Sequence, residues 1–158
     1  MATYTDSLGF NKGSAAHPAI GVTKVALMEV ELDFAAIAAA RLAAGATALG
    51  AADVLEVLQI PAKTYVLHVG LDVTTVEGGT LTIDVGDGAD PDGYLDGVDA
   101  NSEASYASAL ALTEGAPNTI TGLSAGKYYS AADTIDVTTV NAADTAVMRV
   151  WALVVDCS

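Results

Sequence analysis

TYVLHVGLDVTTVEGGTLTIDVG (Thr64–Gly86) is the stretch that sets the fold class. Through Thr64–Thr75 the residues alternate, with Tyr65, Leu67, Val69, Leu71 and Val73 on one face and His68, Asp72 and Thr74 on the other. A period of two is the strand period, and clean alternation means one face buried and one face in water, as antiparallel sheets have. Glu77-Gly78-Gly79 supplies a turn, and Thr80–Gly86 alternates again with Leu81, Ile83 and Val85 inward. Strands joined by short glycine-containing turns point to a sandwich rather than to an α/β fold.

Outward from this pair the pattern holds. Val54–Ile60 is an apolar run stopped by Pro61, and Asp133–Val140 places Ile135 and Val137 on one face. Ala146–Asp156 is apolar on both faces apart from Arg149, so it reads as a central strand carrying Trp151 in the core. Val22–Leu32 alternates imperfectly and reads as a first strand. Asp33 then precedes FAAIAAARLAA, with Gly45 just beyond. Asp is a good N-cap, Ala the best helix former and Gly a common terminator, which predicts one short helix with Phe34, Ile37 and Arg41–Leu42 near one face. Residues 1–21 show neither period and carry Gly9, Gly13, Pro18 and Gly21. They are expected to be an extended N-terminal arm, either a loose tail or a segment packed on a neighbouring subunit through Tyr4, Leu8, Phe10 and Ile20. The expected architecture is mainly β: an antiparallel β-sandwich or jelly roll over residues 22–158 as one domain, with one Ala-rich helix and that arm.

Charge narrows the partners. The chain of 158 residues carries 20 acids against 6 bases, a net charge of −14. Nucleic-acid binders need clustered Lys and Arg to displace counterions from phosphates. Here Lys12, Lys24, Arg41, Lys63, Lys127 and Arg149 are scattered, so neither nucleic acid nor an anionic membrane is an expected partner. Self-association of so acidic a chain must come from short-range apolar contacts. No apolar run reaches the roughly 18–20 residues of a spanning helix. The start, Met-Ala-Thr-Tyr-Thr-Asp, has no basic region or apolar run of a secretory signal, so synthesis in a cytoplasm is expected. Cys157 is the single cysteine and forms no intramolecular bridge.

The candidate chemistry is sparse. Gly122-Leu123-Ser124-Ala125-Gly126 matches a nucleophile elbow, but that device needs a helix after it and a histidine later in the chain. Both histidines, His17 and His68, precede the serine, and Lys127-Tyr128-Tyr129 leads into a strand, so a loop is expected. Neither histidine has a Cys or His at zinc-ligand spacing. The sharpest local feature is DVGDGADPDGYLDGVD (Asp84–Asp99). Calcium takes several carboxylate and carbonyl oxygens on a sharply turning backbone, which makes Asp87, Asp90, Asp92 and Asp96 its candidate ligands. The spacing is not that of an EF-hand, and Asp and Gly are also what plain solvated turns use, so a solvated turn with no cofactor is expected and a calcium site is the alternative. A two-carboxylate glycosidase would need an aromatic-lined cleft, against an aromatic content of 6%.

Three segments carry a resemblance. GGTLTIDVGDGADPDGYLDGVDAN (Gly78–Asn101), KYYSAADTIDVTTVNAADTAVMRVWALVVD (Lys127–Asp156) and the linking DVLEVLQIPAKTYVLHVGLDVTT (Asp53–Thr75) resemble segments of small virion proteins of tailed bacteriophages. The nearest functional class is the capsid decoration, or cement, protein. The resemblance implies a jelly-roll-like β-sandwich, a homotrimer, and the major capsid protein as partner. It implies a place on the capsid surface of the virion after synthesis in the host cytoplasm, and no enzymatic activity. A head-fibre or tail component is the alternative within virion structure. Outside it stands a carbohydrate- or calcium-binding β-sandwich module, with Tyr94, Tyr106, Tyr128 or Tyr129 as exposed sugar-stacking rings.

Overall fold

The computed structural model describes residues 3–5, 24–107 and 126–158. In chain order the elements are β1 (Thr3–Thr5), β2 (Lys24–Asp33), α1 (Phe34–Ala43), β3 (Asp53–Ile60), β4 (Thr64–Thr75), β5 (Thr82–Gly86), β6 (Leu95–Asp99), β7 (Ser105–Ala107), β8 (Lys127–Tyr129), β9 (Asp133–Thr139) and β10 (Val147–Asp156). They form two sheets. One runs β1-β3-β9-β5-β6, and the other runs β2-β10-β4-β7, with β8 also paired to β4. Among the described residues every pairing is antiparallel except β1 with β3, where Thr3–Thr5 lie parallel to Val54–Glu56. The expected antiparallel β-sandwich is what the chain forms.

Between the layers lies one continuous core. Leu55, Ile83, Val85, Ile135 and Val137 come from the first sheet, and Leu71, Met148, Val150 and Ala152 from the second. Burying apolar side chains of this size is the main stabilising term, about 1.5–3 kcal/mol for each relative to exposure. Strand β10 is central, flanked by β2 and β4. Its Met148, Val150, Ala152 and Val154 face the core. Trp151 does not, contrary to expectation. It lies half-buried on the outer face of the sheet, over Gly70 of β4. A Cβ at Gly70 would stand 2.2 Å from the indole ring, so glycine makes the seat for it. His68 meets the same indole edge-on, with ring centroids 5.4 Å apart, and burial lowers its pKa.

The alternation expected of β4 also needs correction. Val69, Leu71 and Val73 are core residues, but Tyr65 and Leu67 are only half-buried, and Val66 points in instead. The register to β10 slips here: Leu153 faces His68 while Val154 faces Val66. Leu67 is thus the extra residue of a β-bulge, and a one-residue slip moves every following side chain to the other face. No local pattern marks a bulge of this kind, because every residue around it is apolar or amphipathic.

The helix forms as expected. Asp33 caps it, accepting from Ala36 N at 2.9 Å, and Phe34, Ile37 and Arg41 are its buried residues. Leu42 is exposed. Arg41 turns inward because its Nε donates to Thr47 O at 2.8 Å, tying the helix to the segment that leads into β3. Gly45 follows in the left-handed region at φ 75°.

A second buried polar device joins the two sheets. Glu77, in the loop between β4 and β5, accepts hydrogen bonds from Thr145 N (3.0 Å), Thr145 Oγ1 (3.0 Å), Ala146 N (2.9 Å) and Asp144 N (3.3 Å). Burial opposes its ionisation, yet these donors, led by the Thr145 backbone, hold its pKa down to about 2 from an ordinary 4.5. A depressed carboxylate stabilises the fold above its unfolded pKa and loses that contribution as pH falls through the folded one. Glu77→Gln is therefore expected to lower unfolding free energy by about 2 kcal/mol at pH 7, with the difference shrinking between pH 4.5 and 2. Urea unfolding at a series of pH values measures it.

Candidate functional site

The aspartate-rich loop grows out of β5. Asp87 N donates to Asp90 O (2.9 Å) and Asp90 N to Asp87 O (3.2 Å), closing a tight turn. The Asp87 carboxylate caps that turn, its Oδ1 accepting from Ala89 N at 2.9 Å and Asp90 N at 3.1 Å. This is the local side-chain-to-backbone bonding that makes Asp a turn residue. Its other oxygen reaches across to the second sheet, accepting from Tyr129 Oη at 2.6 Å and pairing with Lys127 of β8. Tyr129 has one hydroxyl hydrogen and gives it to the carboxylate. The 2.7 Å contact between Tyr94 Oη and Tyr129 Oη must then be donated by Tyr94. Lys127 also stands 5.0 Å above the Tyr129 ring. Burial opposes ionisation of Asp87, but Lys127, Tyr129 and the backbone donor outweigh it and hold the pKa below the ordinary carboxylate value. Burial raises both phenols; at Tyr94 the hydrogen bond to Tyr129 works against it, while at Tyr129 both Tyr94 and Asp87 add to it.

Asp87, Asp90, Asp92 and Asp96 are thus placed differently. Asp87 is buried in this clasp, while Asp90, Asp92 and Asp96 are exposed. Asp90 is hydrogen-bonded to Asp92, which pushes its pKa up. Among the described residues no three His, Cys, Asp or Glu side chains are grouped to hold a metal ion. Of the rings weighed for sugar stacking, Tyr94 and Tyr129 are buried in the clasp, and Tyr106 is half-buried with its hydroxyl on Asp99 O at 3.0 Å. Tyr128 is exposed. Of the arm residues, Tyr4 lies in β1, level with Leu55, whereas Leu8, Phe10 and Ile20 fall outside the described residues. So do His17 and Gly122–Ala125. Gly126 is described, with φ 78° and its Cα against Val66 O of β4, where a Cβ would come within 2.4 Å.

Beneath the loop lies a feature the sequence did not signal. On the outer face of the first sheet is a recess lined by Glu56, Asp87, Asp133, Thr134, Asp136 and Thr138. Asp136 is only 6% exposed, and its Oδ1 has no hydrogen-bond partner. Thr138 Oγ1 is buried there without a partner as well. Burial, with Glu56, Asp133 and Asp87 adding negative potential, lifts the Asp136 pKa to about 6 against a weaker hydrogen bond from Thr134. Alternation on β9 predicts that Asp136 points away from Ile135 and Val137. It gives no hint that the Asp-rich loop folds back far enough to bury it.

Across the second sheet, Arg149 donates to Asp72 through Nη2 at 2.7 Å and Nε at 3.1 Å. Burial opposes Asp72 ionisation, but Arg149, Ser105 and Trp151 hydrogen bonds lower its pKa overall. Val25 and Leu27 are exposed on this outer face.

No protein-family profile matches the chain, and no curated protein does. Solved structures do. A chain from the capsid of Ralstonia phage GP4 aligns with a TM-score of 0.53 at 14% identity, covering 92% of both chains. A chain from the capsid asymmetric unit of cyanophage Pam1 aligns with a TM-score of 0.52 at 18% identity, covering 96% of both. At these identities the likeness is one of fold: nearly the whole of this two-layered β-sandwich follows the course of chains found in phage capsids.

Proposed function

We propose that the protein is a structural component of a bacteriophage virion: a decoration, or cement, protein that binds the major capsid protein and stabilises the shell. The observation that carries this reading is the fold likeness to two capsid chains over more than nine-tenths of each. The resemblance of Gly78–Asn101 and Lys127–Asp156 to phage virion proteins supports it independently. So does the use to which polar residues are put. Asp87, Glu77 and Arg149 are spent on tying strands and loops together. The role is non-enzymatic, and its place is the capsid surface.

In this reading the protein is a homotrimer at a three-fold position, with the N-terminal arm gripping neighbours through Tyr4, Leu8, Phe10 and Ile20. Symmetry multiplies modest contacts, so avidity replaces high affinity at any one of them. Co-sedimentation of purified protein with expanded empty capsids tests the assignment, and solution mass tests the trimer. Saturable binding is the expected result. Density for this chain confined to the tail in an electron-microscopy map of the virion would overturn it.

A further inference from the structure

The recess around Asp136 is built like half of an ion pair. Its floor is a carboxylate that is nine-tenths buried with one oxygen unpartnered, and a buried hydroxyl, Thr138 Oγ1, lies two residues along the same strand, also unpartnered. Residues two apart on a strand stand roughly 7 Å from each other. That separation suits an extended donor rather than a point ion. Calcium gathers its oxygens at about 2.3–2.6 Å around one centre. Among the described residues no such grouping of acids exists. A guanidinium, with five donors in a planar fork, can serve a carboxylate and a second acceptor at once. Asp87 on the rim is already held by Lys127, and the other acids of the lining, Glu56 and Asp133, add negative potential.

We propose that this recess receives an arginine side chain from a different protein chain of the assembly. The donor is not a second copy of this chain. The sequence has only two arginines, Arg41 and Arg149. The first is buried and bonded to Thr47 O, and the second is paired with Asp72. A partner rich in accessible arginine would also be drawn to a chain of net charge −14. In the free protein the recess is a standing cost, because a buried carboxylate with one oxygen unpartnered disfavours its own charge. Docking removes that cost, so stability is given up in the free chain and recovered in the complex. This inference rests on the reading that the protein works inside a virion assembly.

Carbon-13 carboxyl NMR of the full chain, titrated separately with butylguanidinium, butylammonium and calcium chloride, tests the recess itself. Butylguanidinium is expected to lower the Asp136 pKa and shift the Thr138 signals, more than butylammonium does and with no response to calcium. Asp136→Asn should abolish the Thr138 response, and Thr138→Val should weaken the Asp136 response. A calcium response at these residues, an equal response to all three probes, or none to butylguanidinium would overturn the proposal. Binding to expanded empty capsids is the second arm. Asp136→Asn should raise the melting temperature of the free protein by a few degrees at pH 8, yet weaken capsid binding at least ~10-fold, as loss of one partner of a buried charge pair does. Unchanged capsid binding by Asp136→Asn would also overturn the proposal. If the unaltered protein does not bind capsids, the virion reading fails, and the titration alone decides whether the recess takes a guanidinium.

Discussion

Replacing Asp87 with Ala is expected to destabilise the protein by about 2–4 kcal/mol, the combined size of a part-buried ion pair, a charge-assisted hydrogen bond from a buried hydroxyl and a turn cap. The cost has three sources in the structure. Lys127 Nζ loses its carboxylate beside the Tyr129 ring. The Tyr129 hydroxyl, buried and donating to Asp87, loses its acceptor and keeps only Tyr94. The Ala89 and Asp90 N–H groups lose the cap that closes the turn. Because these partners belong to different sheets, the change opens one end of the sandwich rather than loosening a single loop. Asp87→Asn should cost less, since its Oδ1 can still cap the turn, and Tyr94→Phe should cost only about 1 kcal/mol, the worth of one neutral hydrogen bond. The Asp87 pKa is depressed, so its stabilisation is present above the unfolded value and lost as pH falls. Urea unfolding at pH 7 and at acid pH measures both effects. A loss below ~1 kcal/mol for Asp87→Ala would show that the clasp is a solvated surface contact.

The same residue shows what a sequence does and does not disclose. Periodicity marks strands because the burial of one face is written locally, which is why β3, β4, β5, β9 and β10 are readable from residues such as Leu81, Ile83 and Val85. Strands β6, β7 and β8 are short, and their ladders depend on partners far along the chain; Lys127–Tyr129 is a strand only because Thr64–Val66 lies beside it. Strand β1 forms likewise against Val54–Glu56. The aspartates of the loop read equally as turn residues and as cation ligands. The choice for Asp87 depends on Lys127 and Tyr129, 40 and 42 residues away. A calcium ion at Asp87 would have to compete with Lys127 for the carboxylate. Asp136 illustrates the reverse case. Its outward position follows from alternation on β9, but its burial comes from the loop above, which no local pattern predicts.

Gly86→Ala is the second large effect expected, and it tests how that loop is seated. A Cβ at Gly86 would lie 2.0 Å from Asp90 O and 2.3 Å from the Pro91 carbonyl carbon. Both are backbone atoms of the turn, so no side-chain rotation can relieve the clash. Either β5 shifts against β9, where Gly86 is aligned with Asp136, or the turn lifts away and takes the Asp87 carboxylate from Lys127 and Tyr129. Both routes cost about 3 kcal/mol or more, the size of overpacking combined with a broken buried network. Gly88→Ala is the matched control: nothing lies within 4 Å of its added Cβ, so the change should stay within about 0.5 kcal/mol. If the turn lifts, Gly86→Ala and Asp87→Ala break the same contacts, and the double variant should lose well under the sum of the single losses. If β5 shifts instead, the losses should add. Unfolding free energies of the two single variants and the double variant separate these routes, and a Gly86→Ala protein as stable as the original would show that the loop does not rest on β5 at all.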